Sequence, residues 1–263
     1  MTTVADILKY VETLAPTYMK MDWDNVGLLC GSRETHVTKV LVALDPFEGV
    51  CREAAEWGAE LIVTHHPMIF APLKSVTEET TVGRSIMTLC RHGVSAVNAH
   101  TNLDCAPGGV NDVLAATLGL NDVETIPPFF RDDQGRQWGL LRRGRVEEQP
   151  LSQFLETVKS SLNAEGLRYV DGGKPVRVVA VGGGHCSDEL MSAFEAGCDT
   201  FVTADIKYNE FWNAQALGMN LIDAGHFATE NPVVAVLAEK IAAAFPGIQV
   251  KISETHRDCM KFY

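Results

Sequence analysis

Two stretches of this chain read alike, and their likeness restricts the fold more than any other feature. Val40-Leu41-Val42-Ala43-Leu44, a helical stretch and Gly58-Ala59-Glu60-Leu61-Ile62-Val63-Thr64 form the first. Their match, 139 positions on without a gap, is Val179-Ala180-Val181-Gly182, a helical stretch and Gly197-Cys198-Asp199-Thr200-Phe201-Val202-Thr203. A second match, offset by 126, sets His100-Thr101-Asn102-Leu103-Asp104 against His226-Phe227-Ala228-Thr229-Glu230. Two matches in the same order predict a duplicated α/β unit.

Strand and helix signals alternate around both copies. Strands are expected at 39–45, 61–64, 94–98, 176–181, 200–203, 220–223 and 249–253. Helices are expected at 48–57, 80–92, 109–118, 151–162, 187–196, 209–217 and 232–245, several of them stopped by a glycine. Such alternation implies a mostly parallel sheet covered by helices. From 127 to 173 the signals blur, and 131–137 reads as a polar hairpin tip or exposed loop.

Composition narrows the function class. With 263 residues, 46% of them hydrophobic, the chain can build one large or two medium cores. No stretch approaches the roughly 20 apolar residues of a membrane span, and the start lacks the pattern of a signal peptide. The formal charge of −12 gives no long-range attraction to nucleic acid or an anionic bilayer, although a local basic patch is compatible with it. The seven cysteines have no CxxC spacing and read as buried free thiols in a reducing cytoplasm.

Chemistry concentrates at strand ends. His65-His66 follows the run Leu61-Ile62-Val63-Thr64 and precedes Pro67, which stops the ladder. Because successive residues of an extended chain face opposite ways, the two rings are expected to reach points on either side of the strand. His100 to Asp104 and His226 to Glu230 follow two further strands. Ligands of open α/β sheets bind beyond the carboxyl ends of strands, and four imidazoles with two carboxylates suit zinc, iron, manganese or cobalt. Each element also has a plainer reading. His100 and His226 read equally as core histidines, and Asp104 and Glu230 as acids of a helix's first turn. Gly108-Gly109 and Gly182-Gly183-Gly184 read as phosphate cradles or as turn glycines, with the turn preferred. Lys207 is either an anion contact or a solvated surface lysine.

The chain resembles the Nif-three-like dinuclear-metal-centre hexameric proteins, often labelled GTP cyclohydrolase type 2 homologues. The likeness rests on Trp23-Asp24-Asn25-Val26-Gly27-Leu28, Leu61 to Pro67, His100 to Asp104, Gly108-Gly109-Val110-Asn111-Asp112, and Asp223-Ala224-Gly225 with His226 to Glu230. It covers essentially the whole chain, whose short middle is similar to the family's compact form. The resemblance implies two interlocked, pseudo-symmetric α/β lobes with mostly parallel mixed sheets and a metal centre between them. The expected division is 1–105 plus 222–263 as the first lobe, carrying the ligands, and 106–221 as the second.

By the same resemblance, two divalent ions are held by His65, His66, Asp104, His226 and Glu230, with Glu230 as the bridge. His100 is left close to the centre, to be read as support for the ligands or as a proton-transfer residue, and the protomers assemble into a ring-like homohexamer with its sites facing an internal cavity. One departure stands out. Where the family commonly reads Gly-Asp-Leu-Lys-Tyr-His, this chain has Ala204-Asp205-Ile206-Lys207-Tyr208-Asn209, and Asn209 cannot move a proton. The expected function is hydrolysis of a nucleotide-like or small polar substrate, with His100 and Lys207 as catalytic candidates. The alternative is a non-catalytic metal-binding or metal-delivery assembly, and an interaction scaffold stands behind both.

Overall fold

In the computed structural model, which describes residues 1–131, 135 and 137–263, the chain forms two α/β units. The first comprises Met1–Leu103 and Val234–Arg257, the second Asp104–Val233 and Asp258–Tyr263.

Unit 1 runs α1 (Val4–Leu14), β1 (Gly27–Cys30), β2 (Lys39–Ala43), α2 (Glu48–Trp57), β3 (Leu61–Thr64), α3 (Thr81–His92) and β4 (Ser95–Asn98). Much later β13 (Gln249–Ile252) joins it. The strand order is β1-β4-β3-β2-β13, with only the β1 pairing antiparallel. All four residues of β3 are buried, as a strand covered on both faces requires. Leu41, Ile62 and Ala96 pack against Val50 and Ala54 of α2 and Ile86 and Leu89 of α3. Thr80 caps α3 by accepting from the Gly83 N–H, and α1 starts in a capping box made by Thr3 and Asp6.

Unit 2 opens within α4 (Thr101–Cys105) and continues with α5 (Val110–Thr117), β5 (Asn121–Thr125), β6 (Phe129–Arg131), β7 (Gln137–Gly139), β8 (Arg142–Gln149) and α6 (Leu151–Ser161). Then come β9 (Arg168–Val170), β10 (Val176–Val181), α7 (Leu190–Glu195), β11 (Thr200–Thr203), α8 (Tyr208–Leu217), β12 (Asn220–Asp223) and α9 (His226–Glu230). Helix α10 (Pro232–Ala244) leads back to unit 1. The main sheet is ordered β5-β8-β10-β11-β12-β9, its central β10-β11-β12 parallel and the outer strands antiparallel. One face packs Val179, Val181, Val202 and Ile222 with Leu114, Phe154 and Val158; the other packs Ala180, Phe201 and Leu221 with Leu190, Ala193 and Ala214.

The mixed α/β architecture is the one expected, with parallel pairs predominant in unit 1 and antiparallel strands flanking unit 2. The expected boundaries differ. Residues 222–233 belong to unit 2, because β12 is hydrogen-bonded between β11 and β9. His226 and Glu230 therefore fall in the second unit and not in the first. The expected loop at 131–137 lies largely outside the described residues; its flanks β6 and β7 pair antiparallel. None of the seven cysteines forms a disulfide; Cys51, Cys105, Cys186 and Cys198 are buried as expected but Cys90 and Cys259 are exposed. No helix among the described residues is long and apolar enough to cross a membrane.

Candidate metal centre

In unit 1 the chain leaves β3 through a turn in which the Thr64 hydroxyl donates to the His66 carbonyl (2.8 Å) and the His66 N–H donates to the Leu44 carbonyl (2.9 Å). This turn overrides strand alternation. The His65 and His66 rings do not diverge; their centroids lie 4.8 Å apart, and His100 stands 5.2 and 5.4 Å from them. Each of the three offers a ring nitrogen within 4.8 Å of the others.

Each ring is held through Nδ1. His65 meets the Ala99 carbonyl (3.0 Å), His66 an oxygen of Asp45 (2.6 Å), and His100 an oxygen of Asp24 (2.8 Å). Asp45 also binds His256 Nε2 (2.8 Å), and Asp24 also accepts from the Thr101 N–H and hydroxyl. Burial opposes ionisation of Asp24, but the hydrogen bonds from His100 and Thr101 outweigh it and bring its carboxyl down to about 2. Burial likewise works against the Asp45 carboxylate, and its two histidines overcome that and lower its pKa. The exposed rings of Trp23 and Phe70 flank His100.

Within unit 2 the candidate ligands are mainly carboxylates. His226 is the first residue of α9, so Glu230 lies one turn along on the same face, with Nε2 and Oε2 3.0 Å apart. His226 Nδ1 is held by Asp205 (2.6 Å). Burial disfavours charging the imidazole, yet the bonds with Asp205 and Glu230 raise it to about 11. An Asp104 oxygen lies within 4.8 Å of one from Glu230, and both side chains are buried.

The Gly182-Gly183-Gly184 loop is built around Glu230. A Cβ at Gly184 would sit 2.1 Å from Glu230 Oε1 and 3.1 Å from His226 Nε2, and its φ of +61° also favours glycine. Close approach of a carboxylate therefore explains the glycine better than a turn alone. The loop is pinned by Gly183 N–H to Asn111 Oδ1 (2.7 Å) and Gly184 N–H to Thr229 Oγ1 (3.0 Å). Asn111 in turn donates to the Asp104 carbonyl (3.2 Å), so the Gly108-to-Asp112 motif is scaffolding for the helix that carries Asp104.

This donor chemistry fits a borderline divalent ion. With Nδ1 engaged by a carboxylate or carbonyl, Nε2 is the nitrogen that would coordinate an ion, the usual pairing behind metal-bound histidine. Iron, zinc, manganese and cobalt all suit imidazole with carboxylate.

Lys207 has a surface partner. Its ammonium pairs with Asp188 (3.3 Å) on the exposed surface, and Asn209 donates to the neighbouring Glu210 (2.6 Å). The residues that sequence reasoning missed are Asp24, Asp45 and Asp205. For Asp45 and Asp205 the available signal is place, since each stands two residues beyond a strand of its own unit.

The fold and these clusters define an α/β protein with candidate metal-binding groups beyond the carboxyl ends of its strands. The chain matches the Duf34/NIF3 (NGG1p interacting factor 3) family over residues 2–259 and belongs to that family. A Clostridium perfringens protein named GTP cyclohydrolase 1 type 2 homolog is 34% identical over 262 residues, spanning 98% of each chain. A Bacillus subtilis protein of the same name is 25% identical over an alignment of 363 positions, covering 97% of each. That alignment exceeds this chain's 263 residues, so the Bacillus subtilis protein carries a long stretch absent here. The crystal structure of a Bacillus cereus protein related to NIF3 superposes with a TM-score of 0.91 at 26% identity, covering 100% of this chain and 99% of that one.

Proposed function

We propose that this protein binds two divalent metal ions and hydrolyses a nucleotide-like or small polar substrate. The ligands in this reading are His65, His66, Asp104, His226 and Glu230, with Glu230 as the bridge. The observation that carries it is the set of Nδ1-anchored imidazoles, His65 and His66 in one unit and His226 beside Glu230 in the other. The names of the relatives point to the substrate class.

Bound ions would supply Lewis acidity and an activated water. The chain's own residues supply position and protons. Asp45 and Asp205 fix the rings of His66 and His226, and Asp205 raises the basicity of His226. His100, anchored through Nδ1 to Asp24, is set to exchange a proton at Nε2 with the substrate. The ring-like homohexamer belongs to the same proposal.

A second reading, metal storage or delivery without catalysis, is favoured by one observation. Among the described residues neither Lys207 nor Asn209 is bonded to a candidate ligand; both are bonded to surface acids.

Elemental analysis of anaerobically purified protein, with Glu230→Ala beside it, tests the centre. We expect about two ions per chain, lost together in the variant. Retention of both ions by Glu230→Ala rules out the bridge. Hydrolysis of nucleotides by loaded wild type but not by His100→Ala then separates catalysis from storage.

A further inference from the structure

A cleft of about 480 Å³ opens in unit 2 beside the candidate ligand His226. Its lining includes Arg168, Asp205, Asp223, Met260, Lys261 and Phe262. This volume lies in the usual range for small-molecule sites. Asp205 connects the cleft to the candidate centre, because its carboxylate holds His226 Nδ1.

The apolar part of the lining comes from the segment Asp258–Tyr263, which belongs to unit 2 although the residues before it belong to unit 1. Its seat is specific. The Phe262 ring lies on Gly166, where a Cβ would stand 2.6 to 2.9 Å from three ring carbons. Lys261 pairs with Glu165 (2.5 Å), and the Met260 methyl reaches to 3.9 Å from the Cβ position of Gly225, the residue before His226. Phe262 nevertheless remains 54% exposed, leaving ring surface available.

The polar part is divided in function. Asp223 is occupied, accepting from Arg168 and from the Ile206 and Gly225 N–H groups. Asp205 is half-exposed and uses one oxygen on His226, so its other oxygen is placed to accept from a ligand. Arg168 gives Nη2 to Asp223 and the Ile206 carbonyl, while its guanidinium, set over the Phe211 ring, stays 59% exposed. Arginine carries five N–H donors in a fork matched to anions. Flat apolar surface, one carboxylate oxygen and an exposed guanidinium together describe a planar ring that donates N–H and carries an anion.

We propose that this cleft binds a nucleotide, with its base against Phe262 and Met260, a base N–H on Asp205, and its phosphate on Arg168 with Lys261 nearby. This rests on the metal-dependent hydrolase reading and names the substrate pocket of that same centre.

The test is calorimetric titration of metal-loaded protein with GMP, guanosine and inorganic phosphate, with metal content measured on every sample. We expect GMP to bind, and Phe262→Ala to weaken it by roughly ten-fold or more, in line with base stacking on aromatic rings. Phe262→Tyr should restore affinity. Arg168→Gln should weaken GMP and leave guanosine unchanged, with metal content at the wild-type level throughout. Unchanged GMP affinity in Phe262→Ala, or no GMP binding by protein that holds its metal, overturns the pocket and leaves the metal centre standing. Wild-type protein that holds no metal fails the hydrolase reading instead, and GMP titration of that protein judges the cleft separately.

Discussion

Units 1 and 2 carry the same three-stranded parallel core and load its ends with opposite chemistry. In β2-β3 Val40 faces Leu61; in β10-β11 Val179 faces Thr200, the same register 139 positions on. The acid before the second strand repeats its task as well. Glu60 accepts from the N–H groups of Thr38 and Lys39 (2.9 Å each), and Asp199 from those of Arg177 and Val178. Beyond the strand ends the likeness stops. Where unit 1 has His65-His66, unit 2 has Ala204-Asp205; where unit 1 has Asp45, unit 2 has Gly184. One unit places imidazoles in front and acids behind them; the other clears space with a glycine and brings a carboxylate in from a helix. Bonds that hold strands together constrain both copies, whereas the loop ends are free to change chemistry.

A single residue accounts for the helix. Pairing places Asn98 opposite Thr64 and Asp223 opposite Thr203, an offset of 125, while the histidines that follow are 126 apart. The extra residue is Gly225, at φ +86°. With that insertion His226 opens α9 itself, whereas His100 stands before α4. His226 consequently shares a helix face with Glu230.

The largest effect should come from refilling the cleared space. Gly184→Ala places a methyl 2.1 Å from Glu230 Oε1, so Glu230 must move and metal should be lost, with stability falling by about 2–4 kcal/mol. Gly197→Ala is the control. Its φ is +78° with nothing within 4 Å, so it should cost only about 1 kcal/mol and leave metal content intact. Equal metal content in the two variants would mean that the cleared space has no bearing on the ligands.

Next in size are the acids behind the rings. Asp45→Asn and Asp205→Asn should each weaken metal binding roughly 10–100-fold, read by competition with a chelator. Asp45→Asn should also lower the melting temperature more than Asp205→Asn, because Asp45 additionally binds His256. Equal losses of stability would break this asymmetry.

Much of this was legible before any coordinates. Buried runs such as Leu61 to Thr64 announce parallel strands, and the histidines after them announce themselves by type. The outer strands of unit 2 were not legible, since Asn121–Thr125 is exposed and Arg142–Gln149 is rich in charge, so neither shows an apolar period. The unit boundary failed for another reason: pairing of β12 is a long-range choice that no local pattern encodes. Asp45 and Asp205 were missed because an acid after a strand reads first as a turn or cap residue, and Asp24 because it stands in the loop before β1. Their role depends on which imidazole arrives from elsewhere in the chain.

The smallest effect tests the shared part of the two units. Glu60→Gln and Asp199→Asn each keep an acceptor but remove the charge that strengthens two backbone hydrogen bonds, so each should cost about 1 kcal/mol. Burial raises the Glu60 carboxyl, yet the N–H groups of Thr38 and Lys39 hold it below its ordinary 4.5. A carboxyl lowered on folding contributes stability in full above its unfolded value and loses it as pH falls through the folded one. The gap between wild type and Glu60→Gln in urea denaturation should therefore be full at pH 7, narrow below about 4.5, and close at lower pH. A gap that persists undiminished at the acid end would show that Glu60 acts through packing, and the functional likeness of Glu60 to Asp199 would fail with it.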